Sequence, residues 1–318
     1  MHIALLEPLG VSAQTIEELA QPLIEAGCTF ASFDEKTTDP AELIRRAEGA
    51  EVIMIANNPL SAEVIEALPN LKMIAVAFTG IDHVALDICR ERGISVCNCA
   101  GYSDAAVAEL TIGLTIDVLR LVRAGDAAVR SGGTSAGLTG REIAGKTVGI
   151  VGTGHIGTRA GALFAAFGAR VLGYARHENP AATAAGIEHV GLDELLRESD
   201  IVSLHLPLNE GTRGFIGAGE LGAMKKGAVL INCARGPIVD NAALARALEE
   251  GAIAGAGIDV FDGEPPLAAD YPLLKAPNTI LTPHVAFLTE EAMGRRAVIE
   301  FGNVAAWVAG KPENVCEL

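Results

Sequence analysis

The sequence predicts an α/β protein with two doubly wound, parallel-sheet domains. Short apolar runs alternate with amphipathic helical stretches from one end to the other, the pattern of βαβ units. The alternation falls into two sets, separated by a long helical stretch over 105–124 and the glycine- and serine-rich segment Ser131-Gly132-Gly133-Thr134-Ser135-Ala136-Gly137. At 318 residues, half of them hydrophobic, the chain also exceeds what one core usually holds.

In the first set, strands are predicted over 2–6, 29–33, 52–56, 73–76 and 95–97, with helices over 13–26, 40–47, 61–67 and 84–92 between them. The opening Met1-His2-Ile3-Ala4-Leu5-Leu6-Glu7 reads as the first of these strands and lacks the basic and small-residue marks of a signal peptide. In the second set, strands are predicted over 147–151, 170–174, 201–204, 228–232, 254–259 and 279–281, with helices over 158–167, 192–196, 219–224 and 241–250. A last helix over 290–309 has no strand after it, so it is expected to cross back and cover the first sheet. The first domain is therefore expected to be discontinuous, residues 1–99 with 288–318, around a second domain of residues 100–287.

Within the second set, the apolar run Thr147-Val148-Gly149-Ile150-Val151 leads directly into Gly152-Thr153-Gly154-His155-Ile156-Gly157, which opens a helical pattern. Strand, glycine turn and helix together mark a dinucleotide site. Gly152 permits the tight turn, Gly154 lets the backbone approach a pyrophosphate, and Gly157 allows close packing of helix on strand. The free N–H groups and positive dipole end of the helix attract phosphate.

The composition narrows the partners. A net charge of −16 and a pI near 4.9 oppose non-specific nucleic-acid binding. No apolar run reaches the roughly 20 residues of a membrane span, so a cytoplasmic location is expected. The six cysteines carry no paired CxxC spacing, and Cys97-x-Cys99 stands without ligand-like histidines, so reduced thiols and no metal are expected.

Three charged residues stand just beyond apolar strands. Arg235 lies in Ile231-Asn232-Cys233-Ala234-Arg235-Gly236-Pro237-Ile238-Val239-Asp240, at the strand edge where an open α/β sheet forms its ligand crevice, and a guanidinium there can clasp a carboxylate bidentately. Glu264 lies in Ile258-Asp259-Val260-Phe261-Asp262-Gly263-Glu264-Pro265-Pro266, where prolines stiffen the loop. His284 follows Thr282-Pro283. Each alone is ordinarily a surface ion pair, a solvated carboxylate or a packed imidazole; their shared placement at strand edges favours acid-base chemistry.

These motifs, with Phe78-Thr79-Gly80-Ile81-Asp82-His83 and Gly101-Tyr102-Ser103-Asp104-Ala105-Ala106-Val107-Ala108-Glu109, resemble the NAD(P)-dependent D-isomer-specific 2-hydroxyacid dehydrogenases over nearly the whole chain. The resemblance implies a Rossmann dinucleotide domain inserted in a discontinuous flavodoxin-like substrate domain, the two closing over a cleft. It implies reduction of a small 2-oxo acid of the glyoxylate, hydroxypyruvate or pyruvate class to the D-2-hydroxy acid. Arg235 would bind the carboxylate and polarise the carbonyl, His284 would donate the proton, and Glu264 would hold the imidazole and raise its pKa. Backbone amides of Thr79 and Gly80 would further anchor the carboxylate. Asp259 and the Cys233–Ala234 backbone would fix the nicotinamide carboxamide, and Leu206 and Pro207 would line the cofactor. Phe287 is similar to the aromatic of D-lactate-type relatives and would close over a short or apolar side chain.

The acidic residue expected about 20 positions beyond the fingerprint is missing; Ala175 stands in its place with Arg176 beside it. Removal of a carboxylate and gain of a guanidinium favour NADP over NAD. The alternative is that Arg176 stacks on adenine and both cofactors are accepted. His155 is expected to act through its backbone N–H, beside Ile156; His205 reads as packing, and His83, His177 and His189 as surface or loop groups. Cys233 reads as a structural thiol. Asn57 and Asn58 are candidates for a substrate cleft or ordinary turn formers before Pro59.

The apolar content of the 105–124 helix exceeds one amphipathic face, which points to a homodimer or to burial within one chain. Two rivals share the fold: a nicotinamide-sensing, corepressor-like binding protein, opposed by the intact Arg235, Glu264 and His284, and a formate dehydrogenase, expected to carry glutamine where Glu264 stands.

Overall fold

A computed structural model describes every residue except Glu264. The chain forms two units, Met1–Ser103 with Leu288–Leu318, and Asp104–Phe287. The strands in chain order are β1 (His2–Leu5), β2 (Thr29–Ser32), β3 (Val52–Ile55), β4 (Met73–Val76), β5 (Ser95–Cys97), β6 (Thr147–Val151), β7 (Arg170–Tyr174), β8 (Glu188–His189), β9 (Ile201–Leu204), β10 (Val229–Asn232), β11 (Gly255–Ile258) and β12 (Thr279–Leu281).

In the first unit, five parallel strands run in the order β2-β1-β3-β4-β5, the order of flavodoxin-like sheets, in which ligands meet the carboxyl ends of the strands. Val52, Ile53, Met54 and Ile55 of β3 and Met73, Ile74, Ala75 and Val76 of β4 are fully buried, as continuous apolar runs in a sheet covered on both faces require. The helix Glu290–Val308 belongs to this unit and buries Ala292, Met293, Ala297, Phe301 and Val304. Glu7, Arg296 and Glu300 are buried in the same unit.

In the second unit, seven parallel strands run β12-β11-β10-β9-β6-β7-β8. Its central part is the doubly wound dinucleotide arrangement, reversing direction between β6 and β9. Glycine is required where layers touch: a Cβ on Gly149 of β6 would lie 2.3 Å from Leu195. The helix Asp104–Arg120 is a core element whose Val107, Ile112, Leu114, Val118 and Leu119 pack with β6, β10 and β11. The apolar excess that suggested a dimer on this helix is thus consumed inside the unit.

The long helix expected over 105–124 is two helices, Asp104–Arg120 and Val122–Arg130. Leu121 takes a left-handed conformation (φ 52°). The break is fixed by the Asp117 carboxylate accepting from Arg123 N–H at 3.0 Å and by Leu119 O accepting from Arg141 N–H at 2.9 Å. The helix Pro180–Ala184 and the two-residue β8 are additions to the expected elements. The helix after the glycine turn begins at His155, three residues before the apolar pattern does.

Among the described residues, no helix is long and apolar enough to cross a membrane, and no group of His, Cys, Asp or Glu is arranged to hold a metal ion. Cys28, Cys89, Cys97, Cys99, Cys233 and Cys316 are free thiols.

Candidate active site

The glycine turn leaves β6 with Gly152 at φ 100°, and a Cβ there would lie 2.5 Å from His205 O. A Cβ on Gly157 would meet Gly152 O at 1.9 Å. Both positions therefore exclude any side chain, one for conformation and contact, the other for contact alone. A Cβ on Gly154 would meet nothing within 4 Å, so this glycine faces open space. The helix His155–Ala166 starts there. Among the described residues, no intramolecular hydrogen bond engages the N–H of His155, Ile156 or Gly157. Open space above a row of unengaged helix N–H groups fits a pyrophosphate. The His155 side chain is 84% exposed, with Nδ1 3.6 Å from an Asp104 carboxylate oxygen.

At the end of β7, Ala175 is half-buried and Arg176 exposed. Among the described residues the Arg176 guanidinium makes no hydrogen bond or ion pair. Asn179 ties this loop to the glycine turn, donating from Nδ2 to Thr153 O at 2.6 Å. Beyond β9, His205 is held below its ordinary range, at about 4, by desolvation, and its Nε2 shares a 2.9 Å hydrogen bond with Ser203 Oγ. It is a neutral packing group at pH 7. Leu206 is half-buried and Pro207 exposed, with Pro207 O accepting from Thr212 Oγ1 at 2.7 Å.

β10, β11 and β12 are adjacent, and Asn232, Ile258 and Leu281 stand side by side in register. The chain beyond each delivers Arg235, Asp259 and His284 to the same carboxyl edge. The buried Asn232 side chain shapes the Arg235 turn, accepting from Ala234 N–H and donating to Arg235 O, both at 3.0 Å. Arg235 Nη1 donates to Ala234 O at 2.8 Å. A Cβ on Gly236 would lie 1.8 Å from Phe261 C and O, so this turn sits directly on the loop after β11.

Asp259 is fully buried. Its Oδ1 accepts from Thr282 Oγ1 at 2.6 Å and Val285 N–H at 2.9 Å, its Oδ2 from Ala286 N–H at 2.8 Å, and its carbonyl from His284 N–H at 2.8 Å. Desolvation raises its pKa, opposed by these bonds. His284, in the middle of this grip, takes φ 55°. A left-handed non-glycine residue is strained and persists because its surroundings over-determine it. The imidazole meets the Phe287 ring edge to face, 5.4 Å between centroids at 87°. Burial pushes the neighbouring Cys233 thiol up to about 12, with Asp259 adding to the effect, so it is protonated at neutral pH. Glu264 lies outside the described residues.

In the first unit, Thr79 and Gly80 follow β4. Phe78 O accepts from Cys99 N–H at 2.9 Å and Thr79 O from Asn98 Nδ2 at 2.8 Å. Among the described residues, no hydrogen bond engages the N–H of Thr79 or Gly80. Two successive unengaged amides form a natural anion cradle. Asn57 Oδ1 accepts from Lys36 Nζ at 2.7 Å, and Asn58 Nδ2 donates to Thr37 O at 2.7 Å.

Sequence reasoning named Arg235, Asp259 and His284 but not the loop-holding part of Asp259, nor Asn232 and Asn98. The available signal was an asparagine at a strand end, a residue type that hydrogen-bonds the backbone two positions on.

Residues 112–286 match the family model described as D-isomer specific 2-hydroxyacid dehydrogenase, NAD binding domain. The chain is 38% identical over 306 residues to a glyoxylate reductase of Thermofilum pendens, covering 93% of this chain and 90% of that protein. It is similar to the crystal structure of a glyoxylate reductase from Paecilomyes thermophila, with TM-score 0.88 and 32% identity over 99% of this chain and 98% of that one. It is also similar to an acyclic imino acid reductase in complex with NADPH and D-Arg, with TM-score 0.89 and 29% identity over all of both chains. The chain thus belongs to the D-isomer specific 2-hydroxyacid dehydrogenase family, as an oxidoreductase using a nicotinamide cofactor.

Proposed function

We propose that this enzyme reduces a small 2-oxo acid of the glyoxylate, hydroxypyruvate or pyruvate class to the D-2-hydroxy acid, with NADPH preferred over NADH. The observation that carries the reading is the strained His284, clamped by Asp259 two strands from Arg235 at one sheet edge. The bound nicotinamide supplies the hydride.

Arg235 binds the substrate carboxylate and polarises the carbonyl, and His284 delivers the proton to the carbonyl oxygen. Glu264 is assigned, from its sequence motif alone, to orient the imidazole. The unengaged amides of Thr79 and Gly80 support their assignment to the same carboxylate. Phe287, packed on the imidazole, takes the substrate side chain. Gly152, Gly154, His155, Ile156 and Gly157 hold the pyrophosphate through backbone and space. Leu206, Pro207, the Cys233–Ala234 backbone and Asp259 hold the nicotinamide end.

The cofactor preference rests on Ala175 and on Arg176, exposed and unpaired among the described residues, beside a loop tied to the glycine turn by Asn179. A guanidinium so placed pairs with a 2′-phosphate. We further propose a cytoplasmic homodimer. The free thiols support the compartment. The helix Val122–Arg130, which buries no residue and exposes Val122 and Val129, supports the dimer. The regulatory alternative finds no support among the relatives described above.

The test is a matrix of initial rates for glyoxylate, hydroxypyruvate, pyruvate and a branched 2-oxo acid against NADPH and NADH. Turnover with NADPH ahead of NADH supports the reading. Tight NADPH binding with no oxidation by any 2-oxo acid overturns it in favour of a binding protein.

A further inference from the structure

The two amides assigned to the carboxylate belong to peptide units whose carbonyls are held from behind. A trans peptide is planar, with C=O and N–H pointing in opposite directions. Pinning Phe78 O with Cys99 N–H therefore aims the Thr79 N–H, and pinning Thr79 O with Asn98 Nδ2 aims the Gly80 N–H. The first pin is backbone. The second is one side chain, and its own position is heavily fixed. Asn98 Oδ1 accepts from Ala100 N–H at 3.3 Å, Asn98 N–H donates to Asn314 O at 3.1 Å, and Asn98 O accepts from Asn303 Nδ2 at 2.8 Å. Asn303 is 2% exposed, and its Oδ1 is in turn held by Asn314 Nδ2 at 2.7 Å. Every hydrogen-bonding group of Asn98 is thus committed, and its amide can present only Nδ2 to Thr79.

We infer that Asn98 is a positioning residue for substrate binding: through Thr79 O it sets the direction of the Gly80 N–H and strengthens it as a donor to the substrate carboxylate. The strengthening follows from polarisation along a hydrogen-bond chain. The inference rests on the reading of Thr79 and Gly80 given above. Asn98 touches neither substrate nor cofactor in this role, so its loss weakens carboxylate binding while the hydride and proton steps keep their groups.

The probe is oxamate, a non-reducible 2-oxo acid analogue carrying the same carboxylate. Asn98→Ala removes both side-chain bonds. Asn98→Ser keeps an acceptor for the Ala100 N–H but is too short to reach Thr79 O, and it serves where the alanine variant fails to fold. In both, oxamate Kd and the KM for glyoxylate are expected to rise about tenfold, the worth of one well-placed hydrogen bond. The NADPH Kd and kcat are expected to stay near wild type. The Gly80 amide NMR signal, which shifts with oxamate in the wild type, is expected to lose that response. A folded variant with unchanged oxamate Kd overturns the assignment of Asn98 alone. An equal loss of NADPH affinity also overturns it, showing a general structural role. Wild-type enzyme that neither binds oxamate nor reduces a 2-oxo acid overturns the underlying reading and the inference together.

Discussion

Replacing Asp259 by asparagine keeps the side chain's size and removes its charge. The amide oxygen can retain the Oδ1 bonds to Thr282 and Val285, but an NH2 group then faces the Ala286 N–H, donor against donor. One charge-assisted bond is lost and a buried N–H is left unsatisfied, a cost of about 1.5–3 kcal/mol. His284 at φ 55° adds roughly 1 kcal/mol of strain that the loop releases once an anchor goes. A shift of about 2.5–4 kcal/mol away from the aligned imidazole leaves on the order of one enzyme in 70 to 900 competent. The kcat for glyoxylate reduction, followed by NADPH absorbance, is expected to fall by that factor. Removing the charge relieves the desolvation that raises the Asp259 pKa, so the thermal midpoint is expected to change little. A kcat within about threefold of wild type would refute the clamp.

His284→Ala is expected to lower kcat by about 100-fold or more, with NADPH Kd unchanged by fluorescence titration; equal loss of both contradicts its assignment as proton donor. Arg176→Ala is expected to lower kcat/KM for NADPH about tenfold while leaving NADH use intact, and equal effects on both cofactors favour stacking on adenine. Glu300 is fully buried, and burial raises its pKa well above 4.5 against the opposing charge of Arg296 and a weak backbone contact from Ile55. The folded state then holds a proton that the unfolded state releases, so its contribution is complete below the unfolded pKa and is lost as pH rises toward the folded one. Glu300→Gln is expected to lack that decline, gaining about 1.4 kcal/mol per pH unit on the wild type above pH 5 in urea unfolding. Parallel stability curves would exclude a protonated Glu300.

What the sequence makes legible is local. Gly152, Gly154 and Gly157 follow directly on a strand, and their spacing states the contact each must tolerate. The strand-edge position of Arg235 is equally plain, because the strand before it, Val229–Asn232, is a buried and nearly continuous apolar run, and His284 follows the short Thr279–Leu281 strand. The break at Leu121 is not, since it depends on Asp117 reaching the next helix and on Arg141 returning from a loop. β8 is only Glu188 and His189, too short and too polar to carry a period. The grip of Asp259 joins it to residues 23 to 27 positions later, and Asn303 meets Asn98 across 205. Such pairings come from strand order, which periodicity does not encode.

Because the helix Glu290–Val308 packs with the strands of Met1–Ser103 while Asp104–Phe287 folds upon itself, the order of synthesis and the order of completion differ. A ribosome releases β1–β5 before Asp104–Phe287, yet their sheet waits, with one flank uncovered, until the helix Glu290–Val308 has emerged. The enclosed segment has by then had all its own partners available. Premature termination inside that helix would leave a finished nucleotide-binding unit tethered to a sticky, incomplete one, and quality control would meet the defect in the unit begun before the other.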